Sequence, residues 1–188
     1  MLPEHRVLKF LRQVSPEPLS GAFYRIVRVD FIQDPLGAFG SKKTGGRYNR
    51  KGKHEVLYLA SGPDLALKES LPGFSVKFPP SILFTVEARL ASIINLTSAE
   101  VCEGLGITAE NLLTPWRHAQ NVLGKEAITQ RLGRLIRASR RFEAIVYPSR
   151  VDPSRSNLGI LMDRLKQGSS IDIYDPERIM EWVFRGKK

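Results

Sequence analysis

Arg25, Arg47, Tyr58 and Glu69 are the side chains through which this chain could do chemistry, and they lie 22, 11 and 11 residues apart. Arg25 is a charge inside the apolar run FYRIVR, residues 23–28. Arg47 follows two glycines in TGGRYN, residues 44–49. Glycine permits close backbone approach, and a guanidinium grips phosphate oxygens bidentately. Tyr58, in VLYLA (56–60), offers a π-face to a flat ring such as nicotinamide or adenine. Glu69, in ALKES (66–70), could pair with a ribose hydroxyl and with a developing cation. Singly, each has a plainer role: a solvated arginine, a packed tyrosine, a solvated helical carboxylate. Two strands and a glycine turn could bring the four together, and as a set they describe a basic pocket with one acid at its mouth.

Other chemistries lack their residues. His5, His54 and His118 are scattered and Cys102 has no partner, so no metal-ligand spacing exists. There is no G-x-S-x-G elbow for a hydrolase triad. Neither a Walker A loop nor a G-x-G-x-x-G fingerprint occurs, so a nucleotide would have to be held by another route.

The chain has 188 residues, enough to bury a core without staples, and is read as a single domain, 1–188. At 42% hydrophobic and 26% charged it has a globular composition. The N-terminal MLPEHRVLKFLRQV carries charges throughout, so no secretory signal is expected. No apolar run could span a bilayer, and a single cysteine suits a reducing compartment; a cytoplasmic protein without membrane contact is expected. The net charge of +10 invites nucleic acid, an anionic substrate or an acidic partner protein.

The elements that would position the four residues are legible in outline. Residues 3–14 predict an amphipathic helix, with Val7, Leu8, Leu11 and Val14 at helical spacing. Strands are predicted at 21–30, 55–60 and 81–90, with a loop over 33–54 and a short helix over 61–70. Thr97 and Glu100 have capping-box spacing, and Gly104 and Gly106 would stop that helix. One or two short helices follow, then a long one over 125–141 with Arg134, Arg137, Arg140 and Arg141 opposite its apolar face. Strands return at 143–148, 157–162 and 169–175, and PERIMEWVF ends the chain as helix or strand. Strands, helices, then strands again argue for an α+β fold with a mostly antiparallel sheet.

FYRIVR, TGGRYN, VLYLA, ALKES, YPSR (147–150) and SNLGIL (156–161), in this order, resemble the RES domain, named for an Arg, a Glu and a Ser. The likeness covers roughly residues 20–165, leaving 1–19 as an N-terminal helical arm outside it. The Arg would be Arg25, the Glu Glu69 and the Ser Ser149, with Ser70 a rival for the last. The family commonly has tryptophan after Gly-Gly-Arg, where this chain has Tyr48. The resemblance implies an ADP-ribosyltransferase-like fold of mixed, mostly antiparallel sheets flanked by helices. It implies the toxin half of a bacterial toxin–antitoxin pair, one that degrades NAD by breaking the nicotinamide–ribose bond. On that implication Arg25 and Arg47 grip the phosphates, Tyr58 stacks on nicotinamide, Glu69 holds the ribose hydroxyl and stabilises the cation, and Ser149 orients the ribose or the Glu. Glu69, Arg25 and Ser149 would be catalytic, and Arg25, Arg47, Tyr58, Glu69 and Ser149 would contact NAD. The acceptor would be water or inorganic phosphate, and the step needs no metal. The implied partner is an Xre-type helix-turn-helix antitoxin that covers the cleft in a hetero-oligomer, with nucleic acid reached only through it. Protein mono-ADP-ribosylation is an alternative. From another class, the basic run Lys42–Lys53 and the arginine face near Arg137 raise a nucleic-acid-binding module. Trp116 and Trp182 are expected as core or interface anchors.

Overall fold

The computed structural model describes residues 1–70 and 78–180. Trp182 and the other residues of EWVF, the end of PERIMEWVF, lie outside them. Among the described residues these α-helices and strands follow one another: α1 (Glu4–Gln13), β1 (Glu17–Arg28), α2 (Phe39–Thr44), β2 (Val56–Ala60), α3 (Pro63–Ser70), β3 (Ser81–Asn95), α4 (Ala99–Leu105), α5 (Ala109–Leu113), α6 (Trp116–Asn121), α7 (Ile128–Ser139), β4 (Ala144–Pro148), β5 (Ser156–Leu161) and β6 (Ser170–Ile173).

The strands form one six-stranded sheet in the order β1-β2-β5-β4-β3-β6, and an added β1–β3 pairing closes the first five into a ring. Only β3–β4 runs parallel among the described pairings. This is the expected α+β, mostly antiparallel class. The ring is weakest between β1 and β2, which share the single pair Tyr24–Ala60. By contrast β1 and β3 pair from Glu17–Ile93 to Arg28–Ser81.

Side-chain alternation along the strands sorts the core into two layers. Leu57, Leu59, Val86, Ala88, Leu90, Leu158 and Ile160 fill the inside of the ring. Val56, Ile145, Tyr147 and Leu161 face outward and meet α1, α4, α5 and α7 through Val7, Leu11, Leu105, Leu112, Leu132 and Ile136. The segment before the resembling motifs is therefore part of the packing: α1 buries Val7 and Leu11 completely.

Several boundaries differ from expectation for identifiable reasons. The segment 33–54 contains α2, pinned because Ser41 Oγ donates to Ala38 O and accepts from Val56 N–H. β3 runs on to Asn95, where the Ala91 and Ser92 N–H groups donate to Glu143 and residues 93–95 pair with β4. Glu143, expected within the fourth strand, precedes it. Its buried carboxylate also accepts from Lys166 N–H and Ser169 Oγ, tying three segments together. α4 is capped by Ser98 rather than Thr97, whose hydroxyl donates to Asn95 instead.

The arginine face of α7 is largely engaged. Arg134 pairs with Glu4 and Glu126 and Arg137 with Asp163; Arg141, expected on this helix, lies beyond its end at Ser139 and donates to the carbonyls of Arg12 and Val14. On the buried side, Gly133 lets the helix lie directly on the 45–53 segment. A Cβ there would stand 2.0 Å from the Tyr48 carbonyl oxygen. Gly133→Ala should cost about 1–3 kcal/mol through the forced shift. The expected readout is a melting temperature lower by several degrees; an unchanged melting temperature would show that α7 does not need this contact.

Candidate active site

Where β1 and β2 diverge, a cavity of about 430 Å³ opens, within the range of small-molecule sites. Its wall combines β1, β2, α3, the Gly-Gly-Arg turn, the start of α6 and the residues after β4.

Arg25 enters from β1. Its guanidinium donates to the carbonyls of Pro35 (3.0 Å) and Gly37 (2.8 Å), and among the described residues it forms no ion pair. Burial lowers its pKa to about 10, with Asp34 opposing the shift in part. It is thus a charged, desolvated group whose partners are neutral, the condition in which a bound anion gains most.

The turn needs both its glycines. Gly45 adopts φ +83°, and a Cβ on Gly46 would stand 2.5 Å from the Asn49 and Tyr58 side chains. The next residue, Arg47, is 9% exposed and donates to Leu112 O at 2.6 Å. Tyr58 lies across the turn. Its hydroxyl donates to Asn49 Oδ1 and accepts from Tyr48 N–H, both at 2.8 Å. Burial pushes the phenol pKa far up, so it stays neutral and keeps that donor role.

Glu69 comes from α3. Its Oε1 accepts from Ser149 Oγ and from Asn157 Nδ2, each at 2.7 Å. Oε2 accepts no hydrogen bond among the described residues. The mount of α3 is itself fixed: Arg155, on the approach to β5, donates to both oxygens of Asp64 in the helix's first turn.

Ser149 is fully buried and does not line the cavity. Its hydroxyl donates to Glu69 and accepts from the N–H groups of Val151 and Asp152. Of the two roles open to it, orienting the ribose or orienting the Glu, its contact serves the second. Ser70 does line the cavity, but its hydroxyl donates back to Ala66 O. Arg25, Arg47, Tyr58 and Glu69 thus stand around one space, with Ser149 behind the carboxylate.

Other residues complete the wall. Asn157 shares Glu69 Oε1 with Ser149; an asparagine inside the apolar SNLGIL strand was the signal for it. Arg117 and Arg150 also line the cavity. Burial and then the neighbouring Arg47 lower the Arg117 pKa, while Glu69 opposes them. The Arg117 guanidinium lies 4.6 Å from the Trp116 ring centroid, and Trp116 itself lines the cavity. Nothing in the local sequence at 116–117 points to this site, because α6 reaches it only through the tertiary fold. Among the described residues no three His, Cys, Asp or Glu side chains could together hold a metal ion.

The RES domain family matches residues 22–182. This chain belongs to that family. The match runs past residue 165, the approximate end of the likeness read from the motifs, and takes in β6. The RES chain is also similar to a solved structure, a chain in the crystal structure of the M. tuberculosis MbcT–MbcA toxin–antitoxin complex. The TM-score is 0.69 and the identity 14%, with 90% of each chain covered, a likeness of fold. No curated protein matches the RES chain.

Tyr58→Phe would leave the Tyr48 N–H and the Asn49 side chain short of a partner at a buried position, costing about 1–3 kcal/mol. Denaturant unfolding should show a lower midpoint with an unchanged slope. A midpoint equal to wild type would mean that the hydroxyl does not hold the turn.

Proposed function

We propose that this RES chain cleaves NAD at the nicotinamide–ribose bond and acts as the toxin of a toxin–antitoxin pair. The observation that carries the reading is one cavity with an unpaired, desolvated arginine on one wall and a carboxylate, held on a single oxygen, on another. Arg25 and Arg47 would bind the diphosphate, and Tyr58 would present its ring to the nicotinamide. Glu69 would accept from a ribose hydroxyl through Oε2. As the C–N bond breaks, its electron pair leaves with nicotinamide and positive charge develops on the ribose. The nearby carboxylate would stabilise that charge. An oxygen of water or inorganic phosphate would then bond to the ribose carbon, releasing a proton and giving ADP-ribose or its phosphate ester. Ser149 and Asn157 would act through Glu69 by holding its carboxylate in place.

A partner over the cavity is part of the proposal. Phe39, between the cavity-lining Ala38 and Gly40, is 64% exposed, as a rim residue awaiting cover would be. The similar solved structure is that of a toxin–antitoxin complex, which supports an antitoxin as that cover; we assign it to the Xre helix-turn-helix type. The nucleic-acid reading loses one of its two supports, the arginine face, because Arg134, Arg137 and Arg141 are engaged within the fold.

Purified chain mixed with NAD should release free nicotinamide, with and without added inorganic phosphate. Folded protein that releases none would overturn the enzymatic reading. Faster release with phosphate would identify phosphate as the acceptor. Glu69→Gln should lower kcat by about 10²–10⁴. Ser149→Ala should lower kcat by about 10² with KM nearly unchanged, the mark of a misplaced carboxylate rather than a lost substrate contact.

A further inference from the structure

A second cavity, of about 370 Å³, is lined by Arg50, Lys53, His54, Glu126, Gln130, Arg134 and Arg137. It lies between the far end of the 45–54 loop and α7. Four cationic side chains face one carboxylate. Arg134 and Arg137 already have acidic partners in Glu4, Glu126 and Asp163. Arg50 and Lys53 have no ion pair among the described residues, and His54 Nε2 is buried without a partner. Unpaired cations around a concave space raise the local concentration of anions and reward one that carries several charges close together.

We propose that this cavity is a second anion site, for a compact polyphosphate anion such as pyrophosphate or the phosphate tail of a nucleotide. Its size suits a small molecule, and its cations come from a loop and a helix that converge on one space. Arg50 and Lys53 supply the charge that the fold has left uncompensated. The anion's oxygens complete the hydrogen bonding of these two side chains.

The site is joined to the first cavity by Gln130, which is fully buried. Its Nε2 donates to Gly46 O at 3.0 Å and lies 3.3 Å from Asn49 O. Gly46 lines the first cavity and Gln130 the second. An anion held by Arg50 and Lys53 therefore sits on the same loop that carries Arg47.

Pyrophosphate is the probe, and binding is read directly, so the outcome does not depend on whether NAD is cleaved. Titration calorimetry and amide NMR shifts are measured on wild type, on Arg50→Ala/Lys53→Ala and on Arg25→Ala, with circular dichroism confirming each fold. Arg50 and Lys53 are exposed, so their removal spares the core. In wild type, pyrophosphate should shift the amides of residues 50–54 and 130. The double variant should lose that event, or bind at least about tenfold more weakly, while Arg25→Ala retains it. Arg50→Lys/Lys53→Arg, which keeps both charges, should retain binding. Three outcomes would overturn the proposal: no pyrophosphate binding in wild type, binding that vanishes only in Arg25→Ala, or shifts confined to the first cavity.

Discussion

The phenol of Tyr58 sits between Asn49, to which it donates, and the Tyr48 N–H, from which it accepts. That one hydroxyl bolts the Gly-Gly-Arg turn to the sheet. Asn49 extends the bond outward by donating to the carbonyls of Ser41 and His54. Gln130 completes it from α7 by donating to Gly46 O. Each group is buried or half-buried, so each missing bond would cost the full desolvation of its partner. The glycines at 46 and 133 follow from this lock, because turn, strand and helix approach too closely for a Cβ at either position.

A chain with a net charge of +10 has to place its cations, and it does so in two ways. On the arginine face of α7 they are tied to acids and carbonyls, which joins that helix to α1 and to the turn after β5. Such exposed pairs add little individually and serve mainly to set geometry. At the first cavity Arg25 has only neutral partners, and burial depresses its pKa. The energetic cost of desolvating that cation is sustained by the surrounding fold. Glu69 shows the complementary arrangement. Two donors converge on one oxygen, so the carboxylate is oriented without being neutralised.

Local pattern was a good guide to the elements. Short apolar runs placed β2 and β5, glycine placed the end of α4, and apolar periodicity placed α1 and α7. It failed where a distant residue decides. β3 continues past Leu90 because Glu143, 52 positions from Ala91, captures two backbone N–H groups there. α2 arises inside a Gly-rich segment because Ser41 bonds across to the N–H that opens β2. A short window centred on β3 does not contain Glu143, and one centred on α2 does not contain Val56.

The sequence by itself determined the set Arg25, Arg47, Tyr58 and Glu69, because their oddity is local: a charge within an apolar strand, an arginine after paired glycines, a tyrosine in a short strand, an acid on a short helix. Only the tertiary structure decided what surrounds each. It put Ser149 behind Glu69 instead of in the cavity wall, added Asn157, Arg117 and Trp116, and divided the arginines into paired and unpaired. The reason is physical. Burial and charge compensation are properties of the space around a side chain, and that space is filled by segments far away in sequence, as Leu112 is for Arg47 and Ser149 is for Glu69.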